Sequence, residues 1–126
     1  MMAVNIDALT VSELLAPARK TASEDGAAFD VHDYDGRYAI VLTTSAGGGT
    51  TPTLDVKIQD SADGSTGWAD LSGATFTQVT DAADSTETIT IDTDTAKAYI
   101  RVVTTITGTS PTFDLGVVGF GQTQAY

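Results

Sequence analysis

From Thr53 to Asp60 the chain alternates without a break, with Leu54, Val56 and Ile58 on one side and Asp55, Lys57 and Gln59 on the other. A two-residue period sends successive side chains to opposite faces, so this segment is a strand with one buried and one wet face. Thr86 to Asp92 repeats the pattern, Ile89 and Ile91 inward and Thr88 and Thr90 outward, and Thr112 to Val117 does so with Phe113, Leu115 and Val117 inward. Tyr38 to Leu42 and Tyr99 to Val103 are apolar on both faces, which suits central strands or strands whose outer face meets another subunit. Arg101 shares a face with Tyr99 and Val103, and a guanidinium there keeps that face from being a dry core. Weaker strands run from Gly67 to Leu71 around Trp68 and from Ala74 to Val79 around Phe76, and Phe29 to Val31 adds a short one, for a total of about eight.

Threonine is the commonest residue, and the runs are separated by Gly, Asp, Ser and Pro. Gly47-Gly48-Gly49 reads as a flexible hairpin connection, Asp63-Gly64 lies between two strands, Asp81 to Ser85 is a polar link, and Gly108 to Pro111 separates the last two strands. Turns at this spacing predict one all-β domain, an antiparallel β-sandwich that is either jelly-roll-like or immunoglobulin-like; strand order is not visible in pattern alone. Residues 1–26 differ from the sandwich expected over residues 27–126. Val4, Ile6, Leu9, Val11, Leu14 and Leu15 fit neither the helix nor the strand period, and Pro17 with Lys20 to Gly26 makes a polar bridge. Two readings are open. The segment either folds onto its own domain as a strand plus a short helix at Ser12 to Ala16, with Ser12 as N-cap, or lies as an arm on another subunit that covers its apolar groups.

Charge narrows the partners. The 126 residues hold 6 Lys plus Arg against 17 Asp plus Glu, a formal charge of −11. So few cations cannot neutralise a run of phosphates, which disfavours nucleic acid and anionic membranes as partners. The absence of cysteine excludes a disulfide framework, thiolate metal sites and a cysteine nucleophile. Residues 1–15 lack a basic n-region, and Asn5, Asp7, Thr10 and Glu13 interrupt every apolar run, so neither a signal peptide nor a membrane span is expected.

Candidate chemistry is sparse. The single histidine, His32, sits among Asp30, Asp33 and Asp35, but no nucleophile-elbow motif accompanies it. Asp33-x-Asp35-Gly36 is part of a calcium-loop phrase without the closing bidentate Glu, so it reads as a solvated turn. The pairs Asp60 with Asp63, Asp81 with Asp84 and Asp92 with Asp94 fall in turns, where Asp caps backbone amides; two such loops meeting at one end could hold calcium. The glycine triplet has no following Lys-Ser or Lys-Thr and is not a phosphate loop. Trp68 and the tyrosines could form a sugar-stacking platform, against which stands ordinary packing over core or sheet edge. No catalytic residue, metal ligand or cofactor is assigned, and the expectation is that the chain is not an enzyme.

The stretch from Pro52 to Gly64, continued by Trp68-Ala69-Asp70-Leu71 and Gly73 to Val79, resembles small β-sandwich structural proteins of the heads of tailed bacteriophages. So does the pairing of Lys97 to Val102 with Gly108 to Phe113. The likeness covers about residues 36 to 120 and lies in phrasing, not in a catalytic signature. It implies a virion component made in the host cytoplasm: a decoration or cement protein on the capsid exterior that stabilises the lattice, with the major capsid protein and itself, as a homotrimer, for partners. The contact residues expected on this basis are Val4, Ile6, Leu9, Val11, Leu14 and Leu15 of the arm, together with Arg19, Lys20, Arg37, Tyr99 and Arg101. A receptor- or glycan-binding module of a phage tail or fibre is the alternative.

Overall fold

The computed structural model describes residues 9–123, and among these all regular structure is β. The strands are β1 (Leu9–Lys20), β2 (Glu24–Asp25), β3 (Phe29–Asp30), β4 (Tyr34–Thr44), β5 (Gly48–Ser61), β6 (Ala69–Thr75), β7 (Ser85–Asp92) and β8 (Tyr99–Thr123). Every pairing is antiparallel. β8 belongs to both layers of a sandwich. Its second half lies between β1 and β4, and β7 follows β4; its first half lies between β5 and the short β2 and β3, with β6 beyond β5. Counting the halves of β8 separately, the layers run β1-β8-β4-β7 and β2/β3-β8-β5-β6. Apart from the short pair β2 and β3 and the antiparallel pair β5 and β6, successive strands alternate between layers, which makes the sandwich a jelly roll and decides between the two architectures left open by the sequence.

The crossover of β8 occurs at Gly108 to Pro111, where a separation of the last two strands is expected from the sequence and one continuous strand is found. Ile100, Val102, Thr104 and Ile106 face the core before it, and Phe113, Leu115 and Val117 after it. The inward set therefore switches from even to odd numbers, as it must when one strand turns a corner between facing sheets. β5 turns the same corner beside it, with register shifts between Gly48 and Thr53. The two backbones press close: a Cβ on Gly108, whose φ is 120°, would come within 2.9 Å of the carbonyl oxygens of Thr50 and Thr51. Gly48 and Gly49 are part of β5, and the link from β4 to β5 crosses between layers, so the expected hairpin does not form.

The core holds Tyr38, Ile40 and Leu42 of β4 against Leu54, Val56 and Ile58 of β5, with Phe113, Leu115, Val117, Ile100 and Val102 from β8. β1 closes it. Leu9–Lys20 pairs along residues 113–122 of β8 with register shifts around Leu15, and Leu14 and Leu15 are buried. No helix forms at Ser12 to Ala16. Two adjacent inward leucines and Pro17 fit a bulged edge strand, and the bulges are what hid the two-residue period. The described part of the expected arm, from Leu9 onward, thus lies on the chain's own sheet.

Beneath β1 the usual pattern is inverted. Gly119 and Gly121 point inward and leave room for the rings of Tyr38 and Tyr34; a Cβ at Gly121 would stand 2.7 Å from Tyr38 Cδ1. Tyr38 packs edge-on to Tyr34, with centroids 4.8 Å apart, and 5.8 Å from Phe29. Its hydroxyl makes no hydrogen bond within 3.5 Å to any described residue, although the Ser12 hydroxyl is near enough to act on it; Ser12 Oγ lies 3.5 Å from Tyr34 Oη. Burial pushes the Tyr38 phenol well above its ordinary range near 10.

Candidate functional site: an apolar sheet face

With glycines inside, the large side chains of late β8 point outward. Cross-strand partners share a face, so Val11, Phe120, Ala39 and Thr90 form one row across β1, β8, β4 and β7. The next row is Glu13, Val118, Val41 and Thr88. Val11 is 69% exposed, and Ala39, Val41, Val118 and Phe120 are half-buried on the outer side of the sheet, with no other described strand laid over them. Threonines of β7 border the patch on one side. Beyond Val118 the face dips into a groove of about 480 Å³ between Pro17, Ala18, Val41 and Gly116, closed by the ion pair of Arg19 with Asp114. Gly116 makes room for the kink: a Cβ there would lie 3.1 Å from Pro17 Cγ.

Charge around this face is distributed unevenly. Arg19 Nε donates to Asp114 at 2.8 Å, which raises the basicity of the guanidinium and holds the carboxyl below its usual range. Lys20 pairs with Glu24, Lys57 with Asp70 and Arg101 with Asp25. Among the described residues Arg37 makes no ion pair; it reaches over β7 and donates to Thr90 Oγ1 at 3.3 Å. Glu13 likewise has no cation beside it among the described residues. Glu13 thus lies in the apolar rows without an ion pair, and Arg37 lies beside them, in register with Asp92 of β7.

The outer face of the other layer is polar and self-satisfied. Arg101 donates through Nε and an Nη to Gln59 Oε1 at 3.0 and 2.8 Å, and its guanidinium lies 4.5 Å from the Trp68 ring centroid. That contact covers one face of the indole, so Trp68 is half-buried against the sheet and not a free stacking platform. Asp70 accepts from Lys57 and Gln59, which lowers its pKa. The Asp63 loop is closed on itself: its carboxylate accepts from the backbone N–H of Thr66 and Ser65 and from the Thr66 and Ser61 hydroxyls, and these bonds hold it far below the usual carboxylate range. His32 is exposed on a turn, 3.5 Å from an equally exposed Asp33. No group of three or more potential metal ligands occurs among the described residues.

No protein-family model matches the chain, and no curated protein matches it. Among solved structures, a chain of infectious bursal disease virus, Gx strain, is similar in fold, with a TM-score of 0.57 at 10% identity over 94% of this chain and 33% of that one. The SPBc2 prophage-derived protein YomS matches with a TM-score of 0.52 at 12% identity over 96% and 98% of the two chains. A protein of Bacillus endospore appendages, a family of disulfide-linked pili, matches with a TM-score of 0.51 at 14% identity over 99% and 98%. The chain spans about a third of the viral protein but nearly all of the other two. At these identities the likeness is one of fold, shared with structural chains of a virus particle and a pilus and with a prophage product.

The expected contact residues fall into separate groups. Leu9, Val11 and Arg37 lie on the apolar face, and Arg19 lies at its end. Tyr99 and Arg101 lie on the opposite, polar side of the sandwich, and Lys20 is tied to Glu24. Leu14 and Leu15 are corrected: the chain's own core buries them, so they have no side chain to offer another subunit. Val4 and Ile6 lie outside the described residues. Phe120 and Val118, the centre of the face, were missed, because Gly119 and Gly121 take the inward positions that apolar residues usually hold.

Proposed function

We propose that the chain is a structural component of a phage virion, a decoration or cement protein that packs on the outer surface of the head and stabilises its lattice. The observation that carries this reading is the uncovered row of Val11, Phe120, Ala39, Val118 and Val41 on a chain whose remaining described surface is polar and acidic. A contiguous apolar face of this kind is built to be covered by protein. The jelly roll agrees with that use, since it is a common frame for capsid chains, although lectins use it as well. The glycan-binding alternative has less support, because the one tryptophan is engaged with Arg101. A lattice gains from such a part by mass action: whatever binds only the assembled state shifts the equilibrium towards it.

The test is to add purified protein to heads assembled from the major capsid protein of the same genome. Saturable co-sedimentation at a copy number comparable to that of the capsid protein, with a higher temperature of head disruption, is the expected result. Absence of binding to heads, or binding in a handful of copies at the tail end, refutes it.

A further inference from the structure

Glu13 and Arg37, neither of them in an ion pair among the described residues, are related by a symmetry that the strand registers make explicit. Phe120 of β8 stands opposite Val11 of β1 on one side and Ala39 of β4 on the other. Both neighbours run antiparallel to β8, so they are parallel to each other. Glu13 lies two residues after Val11, and Arg37 two residues before Ala39. Phe120 is therefore the midpoint between them. With strands spaced about 4.8 Å apart and about 3.4 Å of rise per residue, each charged residue sits about 8 Å from Phe120, in opposite directions.

We infer that this face binds a second copy of the same chain, face to face, around a two-fold axis passing over Phe120. In an isologous contact each surface meets itself, so a patch serves only if the axis exchanges its donors with its acceptors and its positive with its negative groups. A two-fold axis lying in the contact plane across the Glu13–Arg37 diagonal does this. It sets Glu13 of each copy against Arg37 of the other twice over, and brings the two Phe120 rings together at the centre. Aromatic residues at the middle and ion pairs at the rim are the usual anatomy of a stable interface. A partner of unrelated sequence would need no such reciprocity. Asp114 is already paired with Arg19, and the two rows hold only apolar residues, Thr and Glu13; Asp92 of β7, the cross-strand partner of Arg37, stands at the margin, where its Oδ1 accepts from the Asp94 N–H at 2.9 Å. The contact differs from the three-fold assembly expected from the family resemblance. It bears on the proposed function, because it assigns the apolar face that carries that reading to contact between copies of the component and leaves attachment to the head to other parts of the chain.

The experiment is sedimentation velocity on the full chain over a concentration series, with head binding measured in parallel. The unaltered protein is expected to sediment with twice the monomer mass. Phe120→Asp is expected to be monomeric. Glu13→Lys and Arg37→Glu, both at exposed positions where folding is not at stake, are each expected to weaken dimerisation by about tenfold or more, and the double variant to recover most of that loss. A monomer at every concentration, a trimer, or a dimer indifferent to all these changes overturns the inference. So does failure of the double variant to recover affinity. Head binding retained by monomeric Phe120→Asp separates the two readings, since the virion role would then hold without the dimer's help.

Discussion

Replacing Tyr38 by phenylalanine should stabilise the protein. The side chain is fully buried, and its ring is fixed by Phe29, Tyr34 and the glycine floor at Gly119 and Gly121. All of those contacts survive in Tyr38→Phe. What is removed is a hydroxyl that gave up its water on folding and makes no hydrogen bond within 3.5 Å to a described residue in exchange, Ser12 acting on it only as the smallest of the influences on its pKa. An unsatisfied buried polar group costs about 1–3 kcal/mol, and the ring-floor contact is tight enough that losing one oxygen opens little void. After allowing for that void the net gain should be about 1 kcal/mol, or about 4 °C in Tm for a domain of this size. Urea titration should show a higher midpoint at unchanged slope.

Proton linkage provides a second readout of the same change. Because the phenol's pKa is raised in the folded state, the native protein binds a proton that the unfolded chain releases above about pH 10. The stability this represents is fully present below pH 10 and is lost as pH climbs beyond it; the phenylalanine variant should lack this part of the alkaline decline. Loss of stability by 1 kcal/mol or more in Tyr38→Phe at neutral pH would refute the reasoning, since it would show the hydroxyl to be well bonded.

Three further outcomes are expected. Phe113→Ala empties the core where β8 enters its second layer and should cost about 3–5 kcal/mol, read as a lower urea midpoint. Asp63→Asn should flatten the acid limb of Tm against pH: the depressed pKa means that the loop bonds favour the charged form, so their contribution is present above about pH 4 and lost as pH falls below it. Deleting residues 1–20 strips Leu14, Leu15 and the whole of β1 from the sheet and should give aggregating protein, visible as void-volume material in size-exclusion profiles.

How much of this was legible in the sequence depended on whether a local pattern had one structural meaning. β5 and β7 alternate cleanly and formed as expected, because a two-residue period over eight residues has no helical equivalent. The phrase Gly108-Thr109-Ser110-Pro111 has two meanings: the same residues suit a chain reversal and a corner between layers, and only the packing of β5 against β8 selects the corner. β1 was obscured by its own bulges. The apolar face was half legible, since Tyr38 to Leu42 is apolar on both sides, but its centre was not. A run of Gly116 to Gly121 reads as weak strand until the rings of Tyr34 and Tyr38 show what the glycines make room for.

Acidity and the apolar face belong to one argument. Two chains of charge −11 repel at long range, and that repulsion acts on every possible orientation of approach. It is overcome only where a surface has apolar area to bury and sets carboxylates against cations, as the rows around Phe120 do by placing Glu13 of one copy against Arg37 of the other, with Asp92 at the margin. Salt separates the two effects. With a Debye length of about 30 Å at 0.01 M and 10 Å at 0.1 M, added salt first removes repulsion between distant charges, while an ion pair in contact is screened far less. Association through this face should therefore strengthen over that range, whereas attachment driven by attraction to a basic partner would weaken. The net charge thus selects the orientation of contact without opposing it.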